Sequence, residues 1–93
     1  SYINEDERPK VKVLKQALEL IAEQIKAGDL EFTQLEMEAK KRIESEGFKA
    51  DYVTISNRKT LEPAAVDDRE ITILGAMYTA SARLIDNISI NLD

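Results

Sequence analysis

The sequence contains no cysteine, which excludes disulfides, thiolate nucleophiles and cysteine-ligated zinc. Histidine is absent as well, removing the commonest acid–base catalyst and the commonest metal ligand. Glycine occurs only at Gly28, Gly47 and Gly75, too far apart to build a loop that cradles phosphate. No apolar run approaches the roughly 20 residues that span a bilayer. The acidic start, Ser1-Tyr2-Ile3-Asn4-Glu5-Asp6-Glu7, lacks the basic flank and apolar centre of a signal peptide. Positive charge is also in short supply: 13 Lys and Arg against 18 Asp and Glu give a net charge of −5. A duplex-binding surface needs clustered basic charge. Neither a membrane nor a nucleic acid is expected as a partner.

What is present describes one small domain spanning residues 1–93. A chain of this size buries about 60–65% of its unfolded surface, enough for one modest core. Its 43% hydrophobic and 33% charged residues are ordinary for a globular protein.

The chain opens with a helical pattern. Asn4 is a good N-cap, Glu7 completes an Asx version of the capping box, and Glu5 to Glu7 suit the positive end of the helix dipole. Pro9 deletes a helical hydrogen bond if the helix starts that early, so a kink or a separate first turn is expected there. Val11, Leu14, Leu18, Ile21 and Ile25, with Ala17 beside them, recur at spacings of three and four and form one apolar face. Lys26 and Gly28 supply the stop signal. After Asp29-Leu30-Glu31 a second helix carries Phe32, Leu35, Ala39 and Ile43 on its apolar line. Gly47 and Phe48 stand where a left-handed cap and its apolar contact belong. So short a connection makes the helices antiparallel neighbours.

From Asp51 the period changes to two. In Tyr52-Val53-Thr54-Ile55-Ser56 the apolar Val53 and Ile55 share one face. Residues 57–71 read as a structured loop with one short helical turn. Ile71 to Tyr78 and Ser81 to Ile90, separated by Thr79 and Ala80, read as an antiparallel hairpin. Gly75 marks either a bulge or a close backbone approach. Helices first and strands last argue for α+β: two antiparallel helices packed on one face of a small three-stranded antiparallel sheet.

Three features invite a functional reading. Asp86-Asn87 interrupts an apolar strand as a metal or substrate ligand would. It is equally an exposed edge position, a bulge, or a buried carboxylate held by Arg83 and backbone N–H groups, and one isolated carboxylate is weak support for a metal. Lys40-Lys41-Arg42 is the densest basic cluster, but Glu36, Glu38, Glu44 and Glu46 flank it at pairing distance and no aromatic platform accompanies it. The stripe from Val11 to Ile25 is too short for a persuasive coiled-coil seam and better suits this chain's own sheet. The residues alone thus assign no catalytic, cofactor-binding or metal-ligating position.

Several short motifs, taken in order, resemble the C-terminal domain of the pantoate–β-alanine ligases (pantothenate synthetases). Tyr2-Ile3 and Arg8 fit an Asn-x-Tyr-Leu-x-x-x-x-Arg segment. Gly28, Gly47-Phe48, Asp51-Tyr52-Val53, Thr60-Leu61-Glu62-Pro63 and Arg83-Leu84-Ile85-Asp86-Asn87 follow at suitable distances. Ile3 replaces the usual Leu, and Ala82 stands where Thr is common. The resemblance implies an enzyme that activates pantoate with ATP and magnesium to pantoyl adenylate, which β-alanine then attacks to give pantothenate and AMP. It also implies a cytoplasmic, homodimeric full-length ligase. The family's His-x-Gly-His motif cannot lie on a chain without histidine, and the resemblance places Ser1 one residue past the family's Ser-Arg-Asn loop. By this resemblance the chain is the lid domain alone, partnered by an N-terminal nucleotide-binding domain that binds ATP and magnesium. The rival expectation is a free-standing α+β interaction module without enzymatic activity.

Overall fold

The computed structural model describes residues 7–93, with side chains from Pro9 onward. Five elements follow in order: α1 (Glu7–Lys26), α2 (Phe32–Ser45), β1 (Lys49–Asn57), β2 (Glu70–Tyr78) and β3 (Arg83–Asn91). The strands form one antiparallel sheet in the order β1-β2-β3, and both helices pack against it. This is the α+β arrangement expected from the periodicities.

Helix α1 runs unbroken past Pro9, which corrects the expected kink. Pro9 is the third helical residue, and the first four N–H groups of a helix have no intrahelical acceptor, so no bond is lost. The expected Asn4 cap, the Glu7 side chain and the Tyr2, Ile3 and Arg8 matches lie outside what is described. Leu14, Ala17, Leu18, Ile21 and Ile25 are buried, but Val11 is 36% exposed, so the apolar stripe begins a turn later than its spacing suggests.

Both helices end in the same way. At the end of α1, Gly28 N–H donates to the Ile25 carbonyl and Asp29 N–H to the Gln24 carbonyl. At the end of α2, Gly47 donates to Glu44 and Phe48 to Ile43. Gly28 (φ 102°) and Gly47 (φ 94°) take the left-handed conformation this double bond requires. Phe48 then packs on the core, as its position after the cap predicts.

Leu14, Leu18, Ile21, Ile43, Val53, Ile55, Ile71, Ile73 and Met77 make up most of the core, all at most 3% exposed. Gly75 lies opposite Val53 on one side and Asp86 on the other without a register shift. Of its two expected roles it therefore fills the second: a Cβ there would stand 2.9 Å from Leu18 Cδ2 and 3.2 Å from Leu14 Cδ1. The bulge falls in β1 instead, where the register slips between Ala50 and Tyr52.

The segment after β1 folds back along that strand's free edge. Leu61 N–H closes a single helical turn on the Asn57 carbonyl, Asn57 N–H donates to Glu62, and Ala64 N–H donates to Ile55. From the helix side, the Glu36 carboxylate accepts the Ile55 N–H at 2.8 Å. At Ile55 and Asn57 the edge is thus closed against strand addition. Glu36→Ala leaves that partly buried amide without its charged acceptor and is expected to cost roughly 1–3 kcal/mol. Urea unfolding measures it, and an unchanged midpoint means that water replaces the carboxylate without loss.

The β2–β3 turn is longer than the two residues Thr79 and Ala80 suggest. Thr79 N–H donates to the Ala82 carbonyl and Ala82 N–H to Thr79 Oγ1, so Ser81 and Ala82 belong to the turn and β3 starts at Arg83.

Candidate functional site

Side chains alternate across a strand, so residues on either side of a core position share the opposite face. Met77 and Leu84 form a register pair that faces the helices. Their neighbours Tyr78 and Arg83, also a register pair, face away from the helices. The bulge brings a fourth group to them. Asp51 has no residue opposite it on β2, and a bulge re-aims the side chain of its extra residue.

The Asp51 carboxylate accepts from Arg83 Nε at 2.9 Å and Nη2 at 2.8 Å, both on Oδ2. The guanidinium carbon lies 5.9 Å from the centre of the Tyr52 ring and 6.0 Å from that of Tyr78, at the outer limit of a cation–π contact. The hydrogen bond to Asp51 raises the Arg83 pKa above its ordinary value, against an opposing but smaller loss of hydration. With 42% of the Arg83 side chain exposed, solvent screens the pair, and its worth lies in orientation more than stability. Chemically the cluster is a held cation between two aromatic rings, with guanidinium N–H groups beyond the two that Asp51 engages. It can recognise a surface or an anion.

The sequence-singled residues do not converge. Arg83 and Asp86 are three apart on one strand and so lie on opposite faces. The option of an Asp86 carboxylate held by Arg83 is corrected: the partner of Arg83 is Asp51. Half-buried on the helix side, Asp86 accepts the Asn87 N–H through Oδ1 at 2.8 Å. Asn87 is exposed on the other face of an edge strand. Lys40, Lys41 and Arg42 are exposed on α2. Two of the acids expected beside them are engaged elsewhere, Glu36 by the Ile55 amide and Glu38 by the Gln34 side chain at 3.2 Å. Asp51, Tyr52 and Tyr78 were not singled out as site residues, since only the register brings them to Arg83.

Among the described residues no three acidic side chains gather where they could share a metal ion. Gly28 and Gly47 are spent on helix caps, and Gly75 lies under Leu18. Among the same residues no helix is long and apolar enough to cross a membrane.

Comparison with known proteins decides the family. The family model for pantoate-beta-alanine ligase matches residues 1–89. The chain belongs to the pantoate–β-alanine ligase family. Pantothenate synthetase from Cellvibrio japonicus is 56% identical over 91 residues, and that from Saccharophagus degradans 54% identical. Each alignment takes in 98% of this chain and only 32% of the relative. The crystal structure of pantothenate synthetase from Thermus thermophilus superposes with a TM-score of 0.79 at 26% identity, over 94% of this chain and 32% of that one. The chain therefore spans about a third of the length of the ligases it matches, and a free-standing module is not the favoured reading.

Proposed function

We propose that this chain is the C-terminal lid domain of an ATP-dependent ligase that joins pantoate to β-alanine through pantoyl adenylate. The observation that carries the reading is the family match over residues 1–89, together with relatives of which the chain spans only 32%. The site chemistry supports the same division of labour. A ligase forming an acyl adenylate needs groups that neutralise charge at the α-phosphate. The described residues offer no phosphate loop and no acidic cluster for magnesium. ATP, magnesium, pantoate and β-alanine are then bound mainly by an N-terminal nucleotide-binding domain, and this domain contributes closure and positioning. A homodimeric assembly and a cytoplasmic setting, where ATP is held, belong to the same proposal.

One test needs the 93-residue chain alone. Incubated with pantoate, ATP and magnesium, it is expected to release no pyrophosphate above background. Release at a rate comparable with a full-length relative overturns the assignment of the chemistry to the other domain.

A further inference from the structure

We propose that Asp86 keeps the free edge of β3 closed to a second copy of this chain. Without it, two copies join edge to edge through Ile85, Asn87 and Ser89. The inference goes beyond the ligase reading and does not depend on it.

The two edges of the sheet are protected differently. β1 is covered at Ile55 and Asn57 by the segment that folds back along it and by Glu36. β3 is the other outer strand, and among the described residues no backbone pairs with its far side. Hydrogen-bonded and non-hydrogen-bonded pairs alternate along an antiparallel ladder. Thr79 N–H donates to the Ala82 carbonyl at one end of this hairpin, and Leu92 N–H to the Arg69 carbonyl at the other. Between them the ladder therefore uses Leu84, Asp86, Ile88 and Ile90, opposite Met77, Gly75, Ile73 and Ile71. The N–H groups of Arg83, Ile85, Asn87, Ser89 and Asn91 point away from β2, along the free edge.

An unpaired edge is a template for another strand. The run Leu84-Ile85-Asp86-Asn87-Ile88-Ser89-Ile90 has the composition that adds most readily, with four aliphatic residues, no proline, no glycine and one charge. An antiparallel edge also complements itself. A two-fold axis across its middle sets the outward amides of one copy opposite the outward carbonyls of the other.

Asp86 opposes that pairing in two ways. Its half-buried carboxylate accepts the Asn87 N–H through Oδ1 at 2.8 Å. Asn87 is the middle one of the outward amides, so the central donor of the edge is already taken. In a two-fold pairing centred here the two Asp86 side chains also become cross-strand neighbours, and like charges there are destabilising. Lys15 and Lys26 border the same groove as Asp86, yet among the described residues no cation comes within ion-pair distance of it. Its charge is left for the edge. An inward-pointing charge on an outer strand is one of the devices that keep sheets apart.

The test is sedimentation of the 93-residue chain over a range of concentrations, with exchange of the Asn87 amide followed by NMR. Asp86→Ala is expected to associate at a concentration at least about tenfold lower than the unaltered chain, since an amide is freed from a charged acceptor. Its Asn87 amide is expected to exchange faster than in the unaltered chain when dilute, and more slowly as pairs form. Adding Ile85→Lys, which sets a charge on the same edge, is expected to return the variant to a monomer. Adding Met37→Lys, at an exposed position of α2, is expected not to. If Asp86→Ala does not fold, Asp86→Asn carries the test, because it keeps the shape and loses the charge. It is expected to associate several-fold more readily than the unaltered chain. A folded variant as monomeric as the unaltered chain overturns the inference. So does rescue by Met37→Lys as complete as by Ile85→Lys, which assigns the association to apolar surface in general. A slowly exchanging Asn87 amide in the dilute variant means that another part of the chain covers the edge, and likewise overturns it.

Discussion

Leu18→Ala is expected to lower the unfolding free energy by about 2–5 kcal/mol, the range for truncating a buried leucine in a core that only partly collapses around the cavity. Leu18 is 0% exposed and sits between α1 and the central strand. Its environment permits a sharper test than a single substitution. The site of a Cβ on Gly75 is 2.9 Å from Leu18 Cδ2 and 3.2 Å from Leu14 Cδ1. Gly75→Ala alone forces a packed leucine to move and is expected to cost roughly 1–3 kcal/mol, as overpacking does. With Leu18 already shortened, the closer of the two contacts disappears and the new methyl enters the vacated space. Alanine also loses about 0.5–1 kcal/mol less conformational entropy than glycine on folding. The double variant is therefore expected to be no less stable than Leu18→Ala, giving a coupling at least as large as the Gly75→Ala cost, roughly 1–3 kcal/mol. Urea unfolding of the four proteins measures it. If the two single costs add within about 0.5 kcal/mol, α1 does not rest on Gly75 and the described packing is wrong.

The same contact illustrates what the sequence makes legible and what it hides. The stripe from Leu14 to Ile25 and the alternation around Val53 and Ile55 are local periodicities, and each names its buried face directly. The caps at Gly28 and Gly47 are equally local, since both hydrogen bonds close within six residues. Pro9 misled because its effect depends on where the helix starts, and Val11 because periodicity marks a face but not how far along the helix that face is covered. The bulge at Asp51 has no glycine to mark it; the misleading glycine is Gly75, whose role comes from a helix far away in sequence. The Arg83 cluster is the extreme case. Arg83 and Asp51 are 32 residues apart, and nothing brings them together until the register of all three strands is fixed. The family, in contrast, was legible in short motifs before any geometry, because kinship is carried by residue identities and not by contacts.

Removing this domain from the full-length ligase is expected to raise hydrolysis of pantoyl adenylate relative to amide formation by at least about tenfold, which corresponds to about 1.4 kcal/mol of lost discrimination. An acyl adenylate is a mixed anhydride, so water, a weaker nucleophile than an amine but present in great excess, competes for it. A site that holds it between two steps gains from a cover that excludes bulk solvent. The domain has the form of such a cover: a two-layer body of two helices on a three-stranded sheet. The partition is measured by trapping radiolabelled pantoate as free acid and as amide in a single turnover. Because the truncated enzyme could lose its fold, a second protein carries a flexible glycine–serine insert ahead of α1. The insert leaves both domains whole and lowers the effective concentration of the cover over the site. It is expected to shift the partition in the same direction by a smaller factor. If truncated and inserted enzymes both form adenylate and convert it to pantothenate as efficiently as the intact ligase, the domain is not a lid, and its attachment to the ligase must serve assembly or stability instead.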